Sequence, residues 1–193
     1  VTLFSIDECP DENWNATWEA EHPIEELPLG VKIIPHCAFG AGHHETTGMM
    51  IDALLHTDLT GKNVLDNGCG TGVLGIFAAI RGAAHVVAVD IDDKSVLNTQ
   101  ENATLNGVQI AATLGDTPPE GHYDLIMANI HRNILLAQMP LYARYLNTGG
   151  MLWLSGFYAT DCPTLIATAE KTGLTHTASR TDGDWCMLEF QRL

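Results

Sequence analysis

The sequence predicts an α/β fold, with a doubly wound, mostly parallel sheet of seven strands and a C-terminal antiparallel hairpin. From Val31 onward, short apolar runs alternate with helix-like segments, the order that packed layers of sheet and helices produce. The runs Val86–Val89 and Leu125–Met127 are apolar throughout rather than alternating, which is typical of central parallel strands covered on both faces.

Each element is assigned from its local pattern. Apolar runs of strand length are taken as strands, and longer periodic stretches with polar starts and glycine stops as helices. Asp92 or Asp93 caps one helix, which Gly107 ends. In chain order we predict strand Val31–Pro35, helix Glu45–His56, strand Lys62–Asp66, helix Gly72–Arg81, strand His85–Asp90, helix Asp93–Asn106, strand Ala111–Leu114, strand Tyr123–Ala128, helix Asn133–Tyr145, strand Met151–Leu154, helix Pro163–Thr172, and strands Leu174–Ser179 and Cys186–Gln191.

The last two predicted strands have no helix between them. The segment Thr181–Asp184, which contains Gly183, is a turn sequence. We therefore expect these strands to form an antiparallel hairpin at one edge of the sheet.

Residues 1–30 differ in composition from the rest of the chain. Asp11-Glu12-Asn13 places acids at a helix start, and Trp14 and Trp18 would share one face of that helix. We expect this linker and helical segment to pack on one globular domain formed by residues 31–193.

The chain is strongly acidic, with a formal net charge of −15 and nine Lys and Arg among 193 residues. A nucleic-acid-binding protein usually carries a basic patch, so no direct nucleic-acid contact is expected. The acidic charge either attracts a basic protein partner or only keeps the protein in solution.

Composition also bears on location. The five cysteines are scattered singly without a Cys-x-x-Cys pair, which fits a reducing compartment. The sequence contains no run of about eighteen apolar residues, which a membrane span would require. The first residues also lack the features of a signal peptide. We expect a cytoplasmic protein without a membrane contact.

A glycine-rich turn between two acids is the main candidate site. Asp66 ends one strand, Gly68, Gly70 and Gly72 follow it, and Asp90 ends the next strand. Ligands of such sheets bind beyond the carboxyl ends of the strands. The glycines also match a dinucleotide-binding pattern, but a carboxylate directly before the turn would repel a pyrophosphate.

S-adenosylmethionine suits this turn better than a dinucleotide, because it is a nucleoside without phosphate that carries an ammonium and a sulfonium. We expect Asp66 to hold its amino-acid end, directly or through water, and Asp90 to accept the ribose hydroxyls. Asp116 either binds the adenine amine or is only a turn residue before Pro118.

Two further segments contribute to the predicted site. The carbonyl of Asn129, in Ala128-Asn129-Ile130, would orient an amine, unless the residue only turns the chain. The loop Ala38–Thr47 ends in two histidines, an acid and two threonines; Thr47 either caps the next helix or contacts the ligand. The loop lacks the His-Glu-x-x-His spacing, so no metal is expected.

These elements resemble the ribosomal protein L-eleven methyltransferases, the PrmA-type enzymes, which have the Rossmann-like fold of S-adenosylmethionine-dependent methyltransferases. The resemblance extends from about Asp11 to the end of the chain, and it is most specific in Phe39–Thr47 and in Ala128-Asn129-Ile130. It implies cofactor contacts at Thr47, Gly68, Asp90 and Asn129. With the arguments above, the expected cofactor-binding residues are Phe39, Thr47, Asp66, Gly68, Gly70, Asp90, Asp116 and Asn129, and the expected catalytic residue is Asn129.

The resemblance implies methylation of amino groups, on lysine side chains and the N-terminus, of a ribosomal protein. Phe39 and Ile130 would favour the neutral amine. His43 or His44 either serves as the general base or is only a solvated residue of the loop. Three features depart from the family: Ala41 replaces a threonine, Asn67 replaces an apolar residue, and no N-terminal recognition domain is expected in this chain. The alternatives are another protein or small molecule as substrate, or a cofactor-binding module inactive without a recognition domain.

Overall fold

A computed structural model of the chain describes residues 24–36 and 44–193. The predicted helix with Trp14 and Trp18, and the site residues Phe39 and His43, lie outside the described residues. The described strands are β1 Glu25–Leu27, β2 Val31–Ile33, β3 Asn63–Asn67, β4 His85–Asp90, β5 Ala111–Leu114, β6 Tyr123–Asn129, β7 Leu146–Tyr158, β8 Leu174–Asp182 and β9 Trp185–Arg192. The described helices are α1 Glu45–Leu55, α2 Val73–Ile80, α3 Asp93–Leu105, α4 Arg132–Tyr145 and α5 Cys162–Lys171.

Seven strands form one sheet in the order β5-β4-β3-β6-β7-β9-β8. The strands from β5 to β7 are parallel, and β9 lies antiparallel between β7 and β8. The predicted doubly wound sheet with its C-terminal hairpin is therefore confirmed. The order reverses at β3, which pairs with β4 on one side and β6 on the other, and this crevice is where such sheets bind ligands.

The sheet is covered on both faces, as its apolar central strands predicted. α1 and α2 pack with Val64, Leu125 and Trp153 in one apolar cluster, and α4 and α5 pack with Leu65 and Ile126 in another. Neighbouring residues of β3 and β6 thus point to opposite clusters, as the alternation along a strand requires.

Two elements differ from the sequence-based expectation. The predicted strand Val31–Pro35 is shorter, and it pairs with β1 in a separate two-stranded hairpin rather than joining the main sheet. β7 begins five residues earlier than predicted, because Leu146 already pairs with Tyr123 before the register shifts. Gly149, at φ +78°, lies within this strand instead of preceding it.

A row of asparagines on α3 fastens β2 and the residues after it to the domain. Asn98, Asn102 and Asn106 are one turn apart, and their amides bond to backbone groups as a neighbouring strand would. Asn106 accepts from the N–H of Lys32 at 2.8 Å and donates to its carbonyl at 2.6 Å. Asn102 accepts from the N–H of Ile34 at 2.9 Å, and both Asn102 and Asn98 donate to the Ile34 carbonyl.

We expect Asn102→Ala to destabilise the fold by about 3 kcal/mol, because it removes the acceptor of the Ile34 N–H, a donor to the Thr71 carbonyl and one of the two donors to the Ile34 carbonyl. Urea unfolding measures the loss. The control Thr104→Ala removes an exposed hydroxyl that bonds only within the helix, and should change stability by less than about 0.5 kcal/mol. Equal effects of the two substitutions would contradict the role of Asn102.

The carboxyl of Asp66 makes the stability of the fold depend on pH. Asp66 is 1% exposed, and its Oδ2 accepts the N–H of Gly75 at 2.9 Å. Burial raises its pKa to about 7; the Gly75 N–H opposes this rise and the Asp90 carboxylate adds to it. Between about pH 4 and pH 7 the folded protein holds a proton that the unfolded chain has lost, so stability falls as pH rises through this window, by up to about 1.4 kcal/mol per pH unit.

Asp66→Asn should therefore flatten the dependence of unfolding free energy on pH between pH 5 and about pH 7. Asp124→Asn is the control. Burial alone would raise the pKa of Asp124, but hydrogen bonds from Asn63 and Asn147 lower it below its usual value, so its contribution lies at more acidic pH. An unchanged slope in Asp66→Asn would show that Asp66 is not the titrating group.

Candidate active site

A cavity of about 440 Å³ opens at the carboxyl ends of β3, β4 and β6, at the reversal of strand order. This volume lies within the usual range of about 300–1,000 Å³ for small-molecule sites. The walls come mainly from residues that end these strands or follow them and β5: Asn67, Gly68, Gly70, Val89–Ile91, Gly115, Asp116 and Asn129–His131.

The glycine turn after β3 adopts a backbone that glycine permits most readily. Gly68, Gly70 and Gly72 have φ values of +78°, +54° and +79°. A Cβ on Gly72 would lie 2.7 Å from Cγ2 of Thr99, and one on Gly68 would clash with the side chain of Ile130. The turn can therefore pack this closely against Ile130 and Thr99 only because Gly68 and Gly72 lack a side chain.

The Asp90 carboxylate joins the glycine turn to the end of β4. Its Oδ2 accepts the N–H of Gly70 at 2.9 Å, and its Oδ1 accepts the N–H of Asp92 at 3.0 Å. Asp92 in turn caps α3 by accepting from Lys94. Asp90 lines the cavity, so the structure places this predicted residue where a ligand's hydroxyl groups can reach it.

Asp66 and Cys69 lie behind the cavity wall rather than on it. The Asp66 carboxylate is directed to Gly75 at the start of α2, so its burial does not fit the direct ligand contact that the sequence suggested. Burial also raises the pKa of Cys69 to about 12, which keeps this thiol neutral. Asp66 instead fixes the position of α2 against β3.

Asn129 and Thr47 form a buried polar pair at the opposite wall. Nδ2 of Asn129 donates to Oγ1 of Thr47 at 3.1 Å. Asn129 lines the cavity, whereas Thr47 is fully buried behind it. Oδ1 of Asn129 is buried and has no hydrogen-bond partner among the described residues, and an acceptor in this state calls for an N–H or O–H donor.

The backbone at the end of β6, directly after Asn129, is held in place by β7. The N–H of Ile130 donates to the Ser155 carbonyl at 3.2 Å. Gly156, at φ +90°, lies so close that a Cβ there would be 2.6 Å from the Ile130 carbonyl oxygen. The backbone that presents Asn129 is thus fixed by its neighbouring strand.

Three buried polar residues form a network that the sequence reasoning missed. Asn67, the residue left unexplained above, donates through Nδ2 to Gln138 at 2.9 Å and to Tyr142 at 2.8 Å. Gln138 also donates to the backbone carbonyl of Asp116, whose side chain is exposed on the cavity wall. The signal was present: Gln138 and Tyr142 are four residues apart and so share the face of α4 that carries its buried apolar residues.

Aromatic side chains form the remaining wall. Trp185 lines the cavity, with the His44 ring edge-on at 4.9 Å and the Tyr158 ring stacked at 4.4 Å. Nδ1 of His44 accepts the N–H of Thr46 at 3.3 Å and so caps α1. This nitrogen is engaged in the cap, which does not favour it as a base.

The described residues contain neither a metal-binding cluster nor a helix that could span a membrane. Residues 24–36 and 44–193 hold no group of three or more His, Cys, Asp or Glu side chains arranged to bind a metal ion. Within the same ranges, every helix is too short or too polar to cross a membrane.

Comparison with known proteins identifies the family. A family model described as ribosomal protein L11 methyltransferase (PrmA) matches residues 4–193. The ribosomal protein L11 methyltransferase of Porphyromonas gingivalis is 44% identical over 212 residues, covering 97% of this chain and 72% of that protein. The corresponding protein of Bacteroides fragilis is 40% identical, covering 97% and 75%.

A solved structure agrees with this assignment. The ribosomal protein L11 methylase of Lactobacillus delbrueckii subsp. bulgaricus superposes with a TM-score of 0.74 at 32% identity, covering 78% of this chain and 80% of that one. The resemblance inferred from the Phe39–Thr47 loop and Ala128-Asn129-Ile130 is thereby confirmed. The chain belongs to the ribosomal protein L11 methyltransferase (PrmA) family.

Proposed function

We propose that this chain transfers methyl groups from S-adenosylmethionine to amino groups of ribosomal protein L11, on lysine side chains and at the N-terminus. Methylation of a ribosomal protein with this cofactor follows from the family; the amino acceptor and the roles of individual residues are our proposal. The observation that carries it is that Asn129 lines the cavity and that its Oδ1 is a buried acceptor without a hydrogen-bond partner among the described residues.

The described residues fit the cofactor as a nucleoside without phosphate. Gly68 and Gly70 allow the backbone to approach the nucleoside closely. Asp90 provides a carboxylate on the cavity wall at the end of β4. Asp116, on the adjoining wall, would accept the exocyclic amine of adenine. A pyrophosphate would meet the Asp90 carboxylate on the cavity wall, which is unfavourable to a second negative charge.

The acceptor amine is expected on the side of Asn129 and Trp185. When bound, the cofactor supplies an electrophilic methyl on its sulfonium, so the protein's main task is to hold a neutral amine in line with it. Oδ1 of Asn129 accepts one N–H of the amine, and Thr47 fixes the Asn129 amide in that orientation. Ile130 and Trp185 provide an apolar surface, which favours the uncharged amine over the ammonium.

Asp90→Ala is expected to weaken binding of S-adenosylmethionine about 10- to 100-fold, because hydrogen bonds to a charged group contribute roughly 1.5–3 kcal/mol. Isothermal titration calorimetry on the full chain gives the affinity. Asp93→Ala, in the exposed first turn of α3 and off the cavity wall, is the control. Wild-type affinity in Asp90→Ala would reject the assignment of Asp90 to the ribose.

Asn129→Ala should reduce methyl transfer about 100-fold, since misplacing a reacting group by about 1 Å has effects of this size. The assay follows tritiated methyl from the cofactor to purified ribosomal protein L11, and mass spectrometry locates the product methyl groups. Asn133→Ala, exposed on the first turn of α4, should retain activity.

Two results would contradict the proposal in different ways. Methyl groups found on atoms other than amino nitrogens would refute the acceptor class. Cofactor binding by the wild-type chain without any transfer would indicate a binding module that lacks activity by itself.

A further inference from the structure

Asn67, Gln138 and Tyr142 form a closed ring of hydrogen bonds at the nucleoside side of the cavity, where Asn67 and Gln138 are part of the wall and Tyr142 lies behind them. Nδ2 of Asn67 donates to both Oε1 of Gln138 and the Tyr142 hydroxyl, and that hydroxyl donates to Oε1 of Gln138 at 2.7 Å. All three side chains are buried. Burial raises the pKa of Tyr142, so the hydroxyl keeps the proton that it donates.

The ring leaves Gln138 one orientation of its amide. A glutamine oxygen accepts and its nitrogen donates. Because Oε1 already receives two donors, a flipped amide would place an NH₂ group against the NH₂ of Asn67. Nε2 must therefore point the other way, where it donates to the Asp116 carbonyl at 2.8 Å.

The hydrogen bond from Gln138 to the Asp116 carbonyl joins the ring to the turn after β5. The turn after β5 is held on one side by the Gly115 N–H, which donates to the Asp90 carbonyl at 2.9 Å. Gln138 holds the other side. The two bonds fix the backbone that carries the exposed Asp116 carboxylate.

Burying the polar groups of Asn67, Gln138 and Tyr142 costs free energy, which suggests that these side chains do more than fill space in the core. An apolar residue at position 67 would fill a central strand without any polar group to satisfy, whereas each buried polar group is costly unless it is fully bonded. Here the polar groups are joined in one ring, and Gln138 extends it to the cavity wall.

We propose that Gln138 is a positioning residue for recognition of the adenine base, holding Asp116 where it accepts the exocyclic amine, with Asn67 and Tyr142 orienting Gln138. This inference rests on the proposed function, which places adenine beside Asp116. Gln138 acts through Asp116, so its loss should reduce discrimination between bases and not only overall affinity.

The test compares two nucleosides that differ at the base, S-adenosylhomocysteine and S-inosylhomocysteine, in which a carbonyl oxygen replaces the adenine amine. Dissociation constants are measured by calorimetry for the wild type and for Gln138→Met. We expect the wild type to prefer S-adenosylhomocysteine by at least about tenfold, and Gln138→Met to lose most of that preference. Gln100→Met is the matched control, because Gln100 also donates to a backbone carbonyl near β5, that of Ala112 at 3.4 Å, but is exposed and off the cavity wall.

A second variant, Gln138→Glu, keeps the shape of the side chain and tests the donor directly. A protonated glutamic acid can donate to the Asp116 carbonyl, whereas the carboxylate cannot. Preference for S-adenosylhomocysteine should therefore fall as pH rises in this variant and stay level in the wild type. A purely structural role predicts no such pH dependence.

The outcomes separate the two proposals. A wild type that binds neither nucleoside overturns the proposed function and this inference with it. A wild type that prefers S-adenosylhomocysteine, together with an equal preference in Gln138→Met, overturns the positioning role alone. An equal loss of affinity for both nucleosides in Gln138→Met likewise overturns it.

Discussion

The hydrogen bond between the Asp90 carboxylate and the Gly70 amide is the contact on which the cavity depends. The parallel register of β3 and β4 sets Asn67 level with Val89, so both strands end at the same height. The N–H groups of Gly68 and Cys69 then donate to the Val89 carbonyl. Asp90 adds a further contact between the two strand ends, because its Oδ2 accepts the N–H of Gly70. Its Oδ1 accepts the N–H of Asp92, the residue that caps α3. The geometry of the site is thus largely a consequence of strand register.

The two sides of the cavity are built from different parts of the chain. The nucleoside side comes from β3, β4, the turn after β5 and α4, and its contacts are backbone groups and carboxylates. The side assigned to the acceptor amine comes from β6, α1 and β9, which carry Asn129, Thr47 and Trp185. Asn129 lies on β6, next to β3, and so stands at the boundary between the two. This position suits a residue that orients one reactant relative to the other.

Much of the fold could be predicted because its central strands contain apolar runs such as Val86–Val89 and Leu125–Met127, and because its helices have clear starts, such as Asp92. Site residues could be predicted where their type and their place at the end of a strand are enough, as for Gly68 after β3 and Asp90 at the end of β4. The burial of Asp66 was not predicted, because nothing in a linear pattern shows that its carboxylate points back to α2 instead of outward. Pairing between β1 and β2 was missed for a related reason. Those strands are three residues long, and what holds β2 is the asparagine row of α3, a contact between residues far apart in sequence.

Asn67 shows why a local departure from a family pattern needs a structural explanation. A buried amide in a central strand is unfavourable by itself, and a single partner on α4 would leave one of its hydrogens unpaired. Gln138 and Tyr142, one helical turn apart, each accept one hydrogen, so the cost is offset only if both are present. Because Tyr142 also donates to Gln138, changing any one member leaves the other two incompletely bonded. The three residues therefore act as one unit, and the position of Asp116 is tied to all of them.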